Sequence, residues 1–111
     1  MSSHCVVALY RPNEPGSGKV EAILKRHQEL LRKEKLVTDR LGIVLKSPID
    51  GTFMEIFEWS TDESAGLAHG NAEVMKIWDE LGEVSSYVTF SQLKEAKASF
   101  PEFEVYSYGA E

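Results

Sequence analysis

The side chains best suited to proton transfer in this sequence are His69 and Glu55. His69 comes near the opening turns of a predicted helix, just after a strand that ends in Trp59. A neutral imidazole at such a point can take a proton from an acidic phenol or hold a carbonyl in place. Glu55 interrupts an otherwise apolar strand, and a carboxylate in an apolar pocket is poised as an acid or a base. These two residues are the predicted catalytic candidates.

Each candidate also has a structural interpretation. His69 can simply hydrogen-bond its neighbours at the helix entry. Glu55 can pair with a Lys or Arg of a partner subunit, and Glu58 can lie at the exposed end of the same strand. His27 falls in the apolar stripe of the first predicted helix, where the usual explanation is a core or interface histidine with a ring nitrogen hydrogen-bonded.

Three aromatic residues are the predicted substrate-binding residues: Trp59, Tyr10 and Trp78. Tryptophans are most often core residues whose N–H finds a partner, but Trp59 and Tyr10 are placed to form pocket walls. No two histidines lie three or four residues apart beside a carboxylate, and the single cysteine, Cys5, belongs to no zinc-site pattern. We therefore expect no metal, no cofactor and no internal disulfide.

Six elements must position these side chains. The first half contains a short apolar strand, an amphipathic helix and a hairpin with Asp-Gly in its turn. The second half contains two helical pieces joined with a bend at Gly82, the second of them running to Phe100 and ended by Pro101, and a last strand. The predicted bounds are His4–Tyr10, Lys19–Leu36, Leu41–Leu45, Phe53–Trp59, a helical region from the caps at Ser60–Ser64 to Phe100, and Phe103–Tyr108.

The order strand, helix, strand, strand, helix, strand predicts an α+β fold of the ferredoxin-like β-α-β-β-α-β type, with a four-stranded antiparallel sheet and both helices on one face. The strands carry apolar residues on both faces. Because an exposed apolar sheet face exceeds the patch usual on a monomer, we expect a homodimer through the open face.

Composition limits the partners. The 111 residues allow one domain, 1–111, and the net charge of -6 argues against nucleic acid as a partner. The start has no charged stretch followed by an apolar run, and no segment approaches the ~20 apolar residues of a membrane span. We expect no membrane partner and a cytoplasmic location.

One stretch supports a family resemblance: Glu58-Trp59-Ser60-Thr61-Asp62-Glu63-Ser64-Ala65-Gly66-Leu67-Ala68-His69. With the element order and the doubly apolar sheet, it resembles the dimeric α+β barrel proteins of the antibiotic-biosynthesis-monooxygenase (ABM-like) type. That resemblance implies a dimeric α+β barrel. Proteins similar to it include cofactor-independent oxygenases of polycyclic phenols or quinols, haem-degrading enzymes and small-molecule isomerases. The first strand lacks the asparagine of the haem-degrading relatives, which argues against that activity.

The sequence leaves three functions open. The first is a cofactor-independent monooxygenase acting on an aromatic or quinone-like substrate in a pocket between sheet and helices, beside His69. The second is a module that binds a small hydrophobic ligand without turnover, and the third is a purely structural homodimer. A cavity of at least about 300 Å³ beside His69 would support the first two, whereas a filled core would leave only the third.

Overall fold

The computed structural model describes residues 4–40 and 42–108, the side chains of residues 107 and 108 excepted, and this part of the chain contains both strands and helices. The elements in chain order are β1 (Cys5–Pro12), α1 (Lys19–Lys33), β2 (Ile43–Lys46), β3 (Phe53–Glu58), α2 (Ser64–His69), α3 (Ala72–Val84), β4 (Ser85–Tyr87), a single 3₁₀ turn (Phe90–Gln92) and β5 (Glu104–Tyr108). The predicted α+β class is confirmed.

The described strands form one antiparallel sheet with the order β4-β1-β3-β2-β5. The predicted hairpin is confirmed, because β2 pairs with β3 around a turn in which Gly51 has a φ of 79°. The sheet has five strands in this part of the chain rather than the four predicted. The closing strand, predicted over Phe103–Tyr108, forms on the outer edge of β2, where Ile43 is opposite Tyr108.

Helix α1 follows the amphipathic pattern of its sequence. Its buried residues are Val20, Ile23, Leu24, His27, Gln28 and Leu31. The helix ends earlier than the predicted Leu36, because Lys35 takes a left-handed conformation with a φ of 59° and the N–H of Leu36 donates to the carbonyl of Leu31.

The prediction of a helix over residues 84–100 is wrong. Ser85–Tyr87 forms β4, which pairs with the edge of β1, and the chain then makes one 3₁₀ turn before it runs without regular structure to β5. The apolar residues Val88, Leu93 and Phe103 of this stretch pack on Leu9 and Met54 of the sheet. Their spacing suits a helix only loosely, and tertiary contacts with the sheet determine the conformation instead.

The predicted bend at Gly82 is also wrong, since α3 continues through it to Val84. The helices separate at Gly70 and Asn71. The side chain of Asn71 accepts hydrogen bonds from the N–H groups of Glu73 and Val74 and so caps a new helix. This cap lies eleven residues before the predicted bend.

The two faces of the sheet are covered differently. Helices α1, α2 and α3 cover one face. Residues 88–103, which we call the covering segment, pack on part of the opposite or far face. The homodimer prediction assumed that the whole far face is open. Among the described residues, the exposed apolar part of the far face includes Val7, which is 38% exposed, and Val105, which is 53% exposed. The homodimer itself stays a prediction.

Candidate functional site

Four polar or aromatic side chains form a continuous hydrogen-bonded chain between the sheet and the helices. The Tyr10 hydroxyl donates to Oε1 of Glu55 at 2.8 Å, Oε2 of Glu55 lies 2.8 Å from Nδ1 of His27, and Nε1 of Trp78 donates to Nε2 of His27 at 2.9 Å. Glu55 is 0% exposed and His27 is 1% exposed. We call these four residues the buried polar chain.

Strand register and helix periodicity bring the chain together. Ala8 is opposite Glu55 and Tyr10 is opposite Phe53, so Tyr10 and Glu55 are diagonal neighbours on one face. His27 lies in the buried stripe of α1, and Trp78 lies on α3, which packs against α1. The buried polar chain therefore links two strands to two helices.

The hydrogen bonds determine where the protons lie. Because the Trp78 indole only donates, Nε2 of His27 must accept, so the ring proton lies on Nδ1 and is donated to Glu55. The Glu55 carboxylate then accepts one hydrogen bond on each oxygen. Every polar group of the chain has a partner, and the arrangement holds a buried carboxylate by two neutral donors.

Burial raises the pKa of Tyr10 far above its ordinary value, and the charge of Glu55 and the hydrogen bond to it raise the pKa further. The phenol therefore stays protonated as a donor throughout the neutral range. Tyr87, which lies beside Tyr10 with ring centroids 5.5 Å apart, also has a raised pKa, first through burial and then through the charges of Asp79 and Glu55.

The two predicted catalytic residues lie apart. His69 is the last residue of α2 and is exposed, rather than pointing into the space between sheet and helices. Its ring contacts the Trp78 ring edge-on, with centroids 4.9 Å apart, while Trp59 packs edge-on to Phe57 at 5.0 Å. The structure brings together Glu55, Tyr10 and Trp78, and it places His69 and Trp59 outside their hydrogen bonds.

Glu58 does not lie at an exposed strand end, as the sequence suggested, but is 6% exposed. Its carboxylate binds Nε of Arg40 at 2.8 Å and Nη2 at 3.0 Å, and it accepts from the Thr38 hydroxyl at 2.8 Å. The Glu58 carboxylate in turn raises the pKa of Arg40, first through this hydrogen bond and then through its charge. The Glu55 pairing with a partner-subunit cation, considered at the sequence level, is replaced by the Tyr10 and His27 contacts.

A cavity of about 580 Å³ lies under the covering segment. We call it the far-face cavity. Its lining is mainly apolar and consists of Met54, Phe90, Ser91, Leu93, Glu95, Ala96, Lys97, Ala98, Pro101 and Phe103. None of the five predicted site residues lines it. The cavity has the volume and the apolar lining typical of small-molecule sites.

One carboxylate in this lining has an open hydrogen-bonding position. Glu95 is 7% exposed, and its Oε2 accepts from the Ser47 hydroxyl at 2.6 Å. Its Oε1 is buried and has no hydrogen-bond partner in the part of the chain that the structure describes. The Ser47 oxygen accepts in turn from the N–H groups of Ile49 and Asp50, which commits its proton to Glu95. Glu95 is therefore held in place by one oxygen and left open at the other.

The covering segment is fastened to the hairpin turn at a second point. Arg11 donates to the carbonyl of Gln92 at 2.8 Å and to the Asp50 carboxylate at 3.1 Å. Burial acts to raise the pKa of Asp50, but hydrogen bonds from Thr52 and the charge of Arg11 hold that pKa below its usual value. Arg11 and Ser47 thus tie the covering segment to residues 47–52.

Sequence reasoning missed His27 and Glu95 as site residues. His27 carried a signal, because a polar residue in the apolar stripe of one helix and a carboxylate in an apolar strand each need a buried partner. Glu95 gave no such signal. The sequence placed it in a predicted helix over residues 84–100, and that helix does not form.

Within the described residues, no group of three or more His, Cys, Asp and Glu side chains is placed to hold a metal ion. No helix in that part of the chain combines the length and apolarity of a membrane span. Comparisons with family models, with curated proteins and with solved structures each find no match to this chain. The ABM-like resemblance therefore stays a prediction.

Proposed function

We propose that this protein binds a small hydrophobic or aromatic molecule in the far-face cavity. The observation that carries the proposal is the single open oxygen of Glu95 in a largely apolar cavity of about 580 Å³. Apolar walls with a few convergent polar groups are the usual composition of a small-molecule site, in which the polar groups fix orientation.

The open oxygen also indicates what the ligand carries. A buried carboxylate oxygen without a hydrogen bond is costly, and a ligand hydroxyl or amine removes that cost by donating to it. The remaining lining includes Phe90, Phe103 and Met54, which suit a flat apolar body. A phenol meets both requirements.

Binding of 2-naphthol tests this proposal, because the compound combines an aromatic body with one hydroxyl. We expect saturable binding by calorimetry, and about tenfold weaker binding to Glu95→Leu, since a hydrogen bond to a charged group is lost. Naphthalene, which lacks the hydroxyl, should bind wild type and variant alike. Equal affinity of 2-naphthol for wild type and Glu95→Leu would exclude the assigned role of Glu95.

The second candidate function is the cofactor-independent monooxygenase that the ABM-like resemblance implies. The strand order β4-β1-β3-β2, with α1 and α3 on one face, supports it, because a split β-α-β sheet has this arrangement of helices. In the proposed reaction Glu95 takes the proton of an anthrone-like substrate. One oxygen atom of dioxygen enters the substrate carbon, and the other leaves as water with two substrate hydrogens.

Oxygen uptake with anthrones and quinols tests this second candidate. We expect turnover by the wild type and its loss in Glu95→Gln, which removes the proton acceptor while keeping the shape. His69→Ala separates this mechanism from the one predicted from sequence, because His69 lies on the helix side of the sheet. Loss of turnover in His69→Ala, with turnover retained in Glu95→Gln, would contradict the role of Glu95 and place the reaction beside His69 on the helix side of the sheet.

A homodimer through the far face remains part of the proposal. Val7 and Val105 are exposed apolar residues of the sheet, and Phe90 and Phe100 of the covering segment are 57% and 91% exposed. Large apolar side chains that remain exposed favour a partner surface where they form one patch. Sedimentation at micromolar concentration should give a dimer, whereas a single monomer species would reject the prediction.

A further inference from the structure

A second cavity lies on the opposite side of the sheet, between α1 and the edge formed by β2 and β5. Its volume is about 530 Å³, and we call it the α1 groove. It is lined by Gly18, Glu21, Ala22, Leu24, Lys25, Gln28, Glu29, Arg32, Val44 and Tyr106. Leu24, Val44 and Tyr106 give it an apolar floor, while α1 supplies its polar residues.

Two buried donors on α1 have no acceptor. Nε2 of Gln28 and Nε of Arg32 are both buried and have no hydrogen-bond partner among the described residues, and Gln28 as a whole is 7% exposed. The two residues are four positions apart, which places them one helical turn apart on the same face. Most buried polar groups find a partner, so two open donors side by side indicate an acceptor that is supplied from outside the chain.

The acidic residues of the groove do not supply that acceptor. Glu21 and Glu29 line the groove, yet neither is recorded in a hydrogen bond or an ion pair with Gln28 or Arg32. Glu29 is exposed and Glu21 is half-buried, so water solvates their charges. The buried positions of the groove therefore favour an acceptor, even though its rim carries charges of both signs.

We propose that the α1 groove binds a small organic carboxylate, whose oxygens accept from Gln28 and Arg32 and whose apolar body lies on Leu24, Val44 and Tyr106. A guanidinium group and a side-chain amide are both donors to a carboxylate, and the guanidinium matches its geometry. Lys25 adds a positive charge at the exposed edge of the groove. This site is separate from the far-face cavity and requires a ligand of the opposite hydrogen-bonding character.

Titration with 2-naphthoate, followed by calorimetry, tests the site. We expect saturable binding by the wild type and about tenfold weaker binding to Arg32→Met and to Gln28→Met, since each loses a hydrogen bond to a charged acceptor. Lys33→Met is the matched control: it removes one positive charge from the same helix at an exposed position outside the groove lining. Its affinity should equal that of the wild type.

Two further measurements keep the result interpretable. Gln28→Glu replaces a donor by a negative charge and should abolish binding, which gives an independent variant if Arg32→Met fails to fold by circular dichroism. Saturating 2-naphthol should leave the affinity for 2-naphthoate unchanged, because the two probes occupy different cavities.

The proposal is overturned if 2-naphthoate does not saturate, if Arg32→Met and Gln28→Glu both bind it like wild type, or if 2-naphthol displaces it. Loss of 2-naphthoate binding in Lys33→Met as well would show only attraction to overall charge, and it also overturns the proposal. Failure of 2-naphthol binding with retention of this pattern would reject the proposed function alone.

Discussion

The sheet separates two buried carboxylates that the protein treats in opposite ways. On the helix side, Glu55 accepts from Tyr10 on one oxygen and from His27 on the other, and Trp78 completes the series. On the far side, Glu95 accepts from Ser47 on one oxygen, and its second oxygen has no partner within residues 4–40 and 42–108. We call Glu55 the closed carboxylate, because both of its oxygens accept a hydrogen bond. We call Glu95 the open carboxylate, because only one of its oxygens does so among the described residues.

This difference separates a structural role from a binding role. A buried network in which every donor and acceptor is satisfied rigidifies the packing around it, and removal of one member exposes the others to the full cost of desolvation. A buried polar group that lacks one hydrogen bond is stabilised when a ligand supplies it. The buried polar chain should therefore matter most for stability, and Glu95 should matter most for ligand affinity.

The largest effect is expected for Glu55→Gln. The amide has only one acceptor oxygen, so Tyr10 and His27 can no longer both donate to residue 55, and one of these two donated hydrogen bonds is lost. We expect a loss of about 3 kcal/mol in the free energy of unfolding, measured by urea denaturation. Glu102→Gln is the control, because Glu102 is exposed; it should change stability by less than about 0.5 kcal/mol.

Equal stability of Glu55→Gln and Glu102→Gln would contradict the structural role of the closed carboxylate. The contrast between Glu55 and Glu95 would then be unsupported, since the loss of one hydrogen bond of the buried polar chain would not destabilise the fold.

A smaller loss, about 2 kcal/mol, is expected for Trp78→Phe. Phenylalanine keeps an aromatic body but cannot donate, so Nε2 of His27 is left buried without a partner. Trp59→Phe is matched to it, because Trp59 is also half-buried and packs edge-on to Phe57 outside the hydrogen bonds of the buried polar chain. The two variants lose similar ring area, so the difference between their denaturation midpoints measures the hydrogen bond. Identical midpoints would show that this link of the chain contributes nothing.

The sequence predicted the helix side better than the far side. The apolar stripe of α1 and the Asp50-Gly51 turn depend on neighbouring residues, and both were correctly predicted. The chain from Tyr10 to Trp78 joins residues that are 28 to 51 positions apart in sequence, and no local pattern specifies which side chains meet. His27 and Glu55 were each recognisable as misplaced polar residues, but not as partners.

The far side was missed for a different reason. Residues 84–100 carry apolar side chains at a spacing that suits a loose helix, whereas the edge of β1 and the far face offer them strand pairing and packing that a helix forgoes. Because those contacts are tertiary, the sequence alone could not show that Glu95 would meet Ser47, 48 residues earlier.

Tyr10→Phe tests the closed carboxylate through pH. The folded-state pKa of Tyr10 lies above its ordinary value of 10.0, because burial and then the Glu55 charge disfavour the phenolate. Stability from this group is complete below about pH 10 and is lost as pH rises further, since only the unfolded chain ionises. We expect Tyr10→Phe to lose about 1 kcal/mol at pH 7 and to show a shallower decline in stability above pH 10.

Tyr87→Phe is the matched control for that pH profile. The pKa of Tyr87 is also raised, but its side chain is largely exposed, so its removal should flatten the alkaline decline less than Tyr10→Phe does. An alkaline profile of Tyr10→Phe that superimposes on the wild type would contradict the assignment of Tyr10 as a donor to an ionised Glu55.

The smallest change, and one of opposite sign, is expected for the open carboxylate. Glu95→Gln keeps an oxygen that accepts from Ser47 and removes a buried charge whose second oxygen is unsatisfied, so unliganded stability should rise by up to about 0.5 kcal/mol. Ser47→Ala is the contrasting variant, because it leaves both Glu95 oxygens without a partner and should be destabilising. Thermal denaturation of both variants without ligand measures these effects. A marked loss of stability in Glu95→Gln would mean that this carboxylate is as closed as Glu55, and binding in the far-face cavity would then have to rest on its apolar walls.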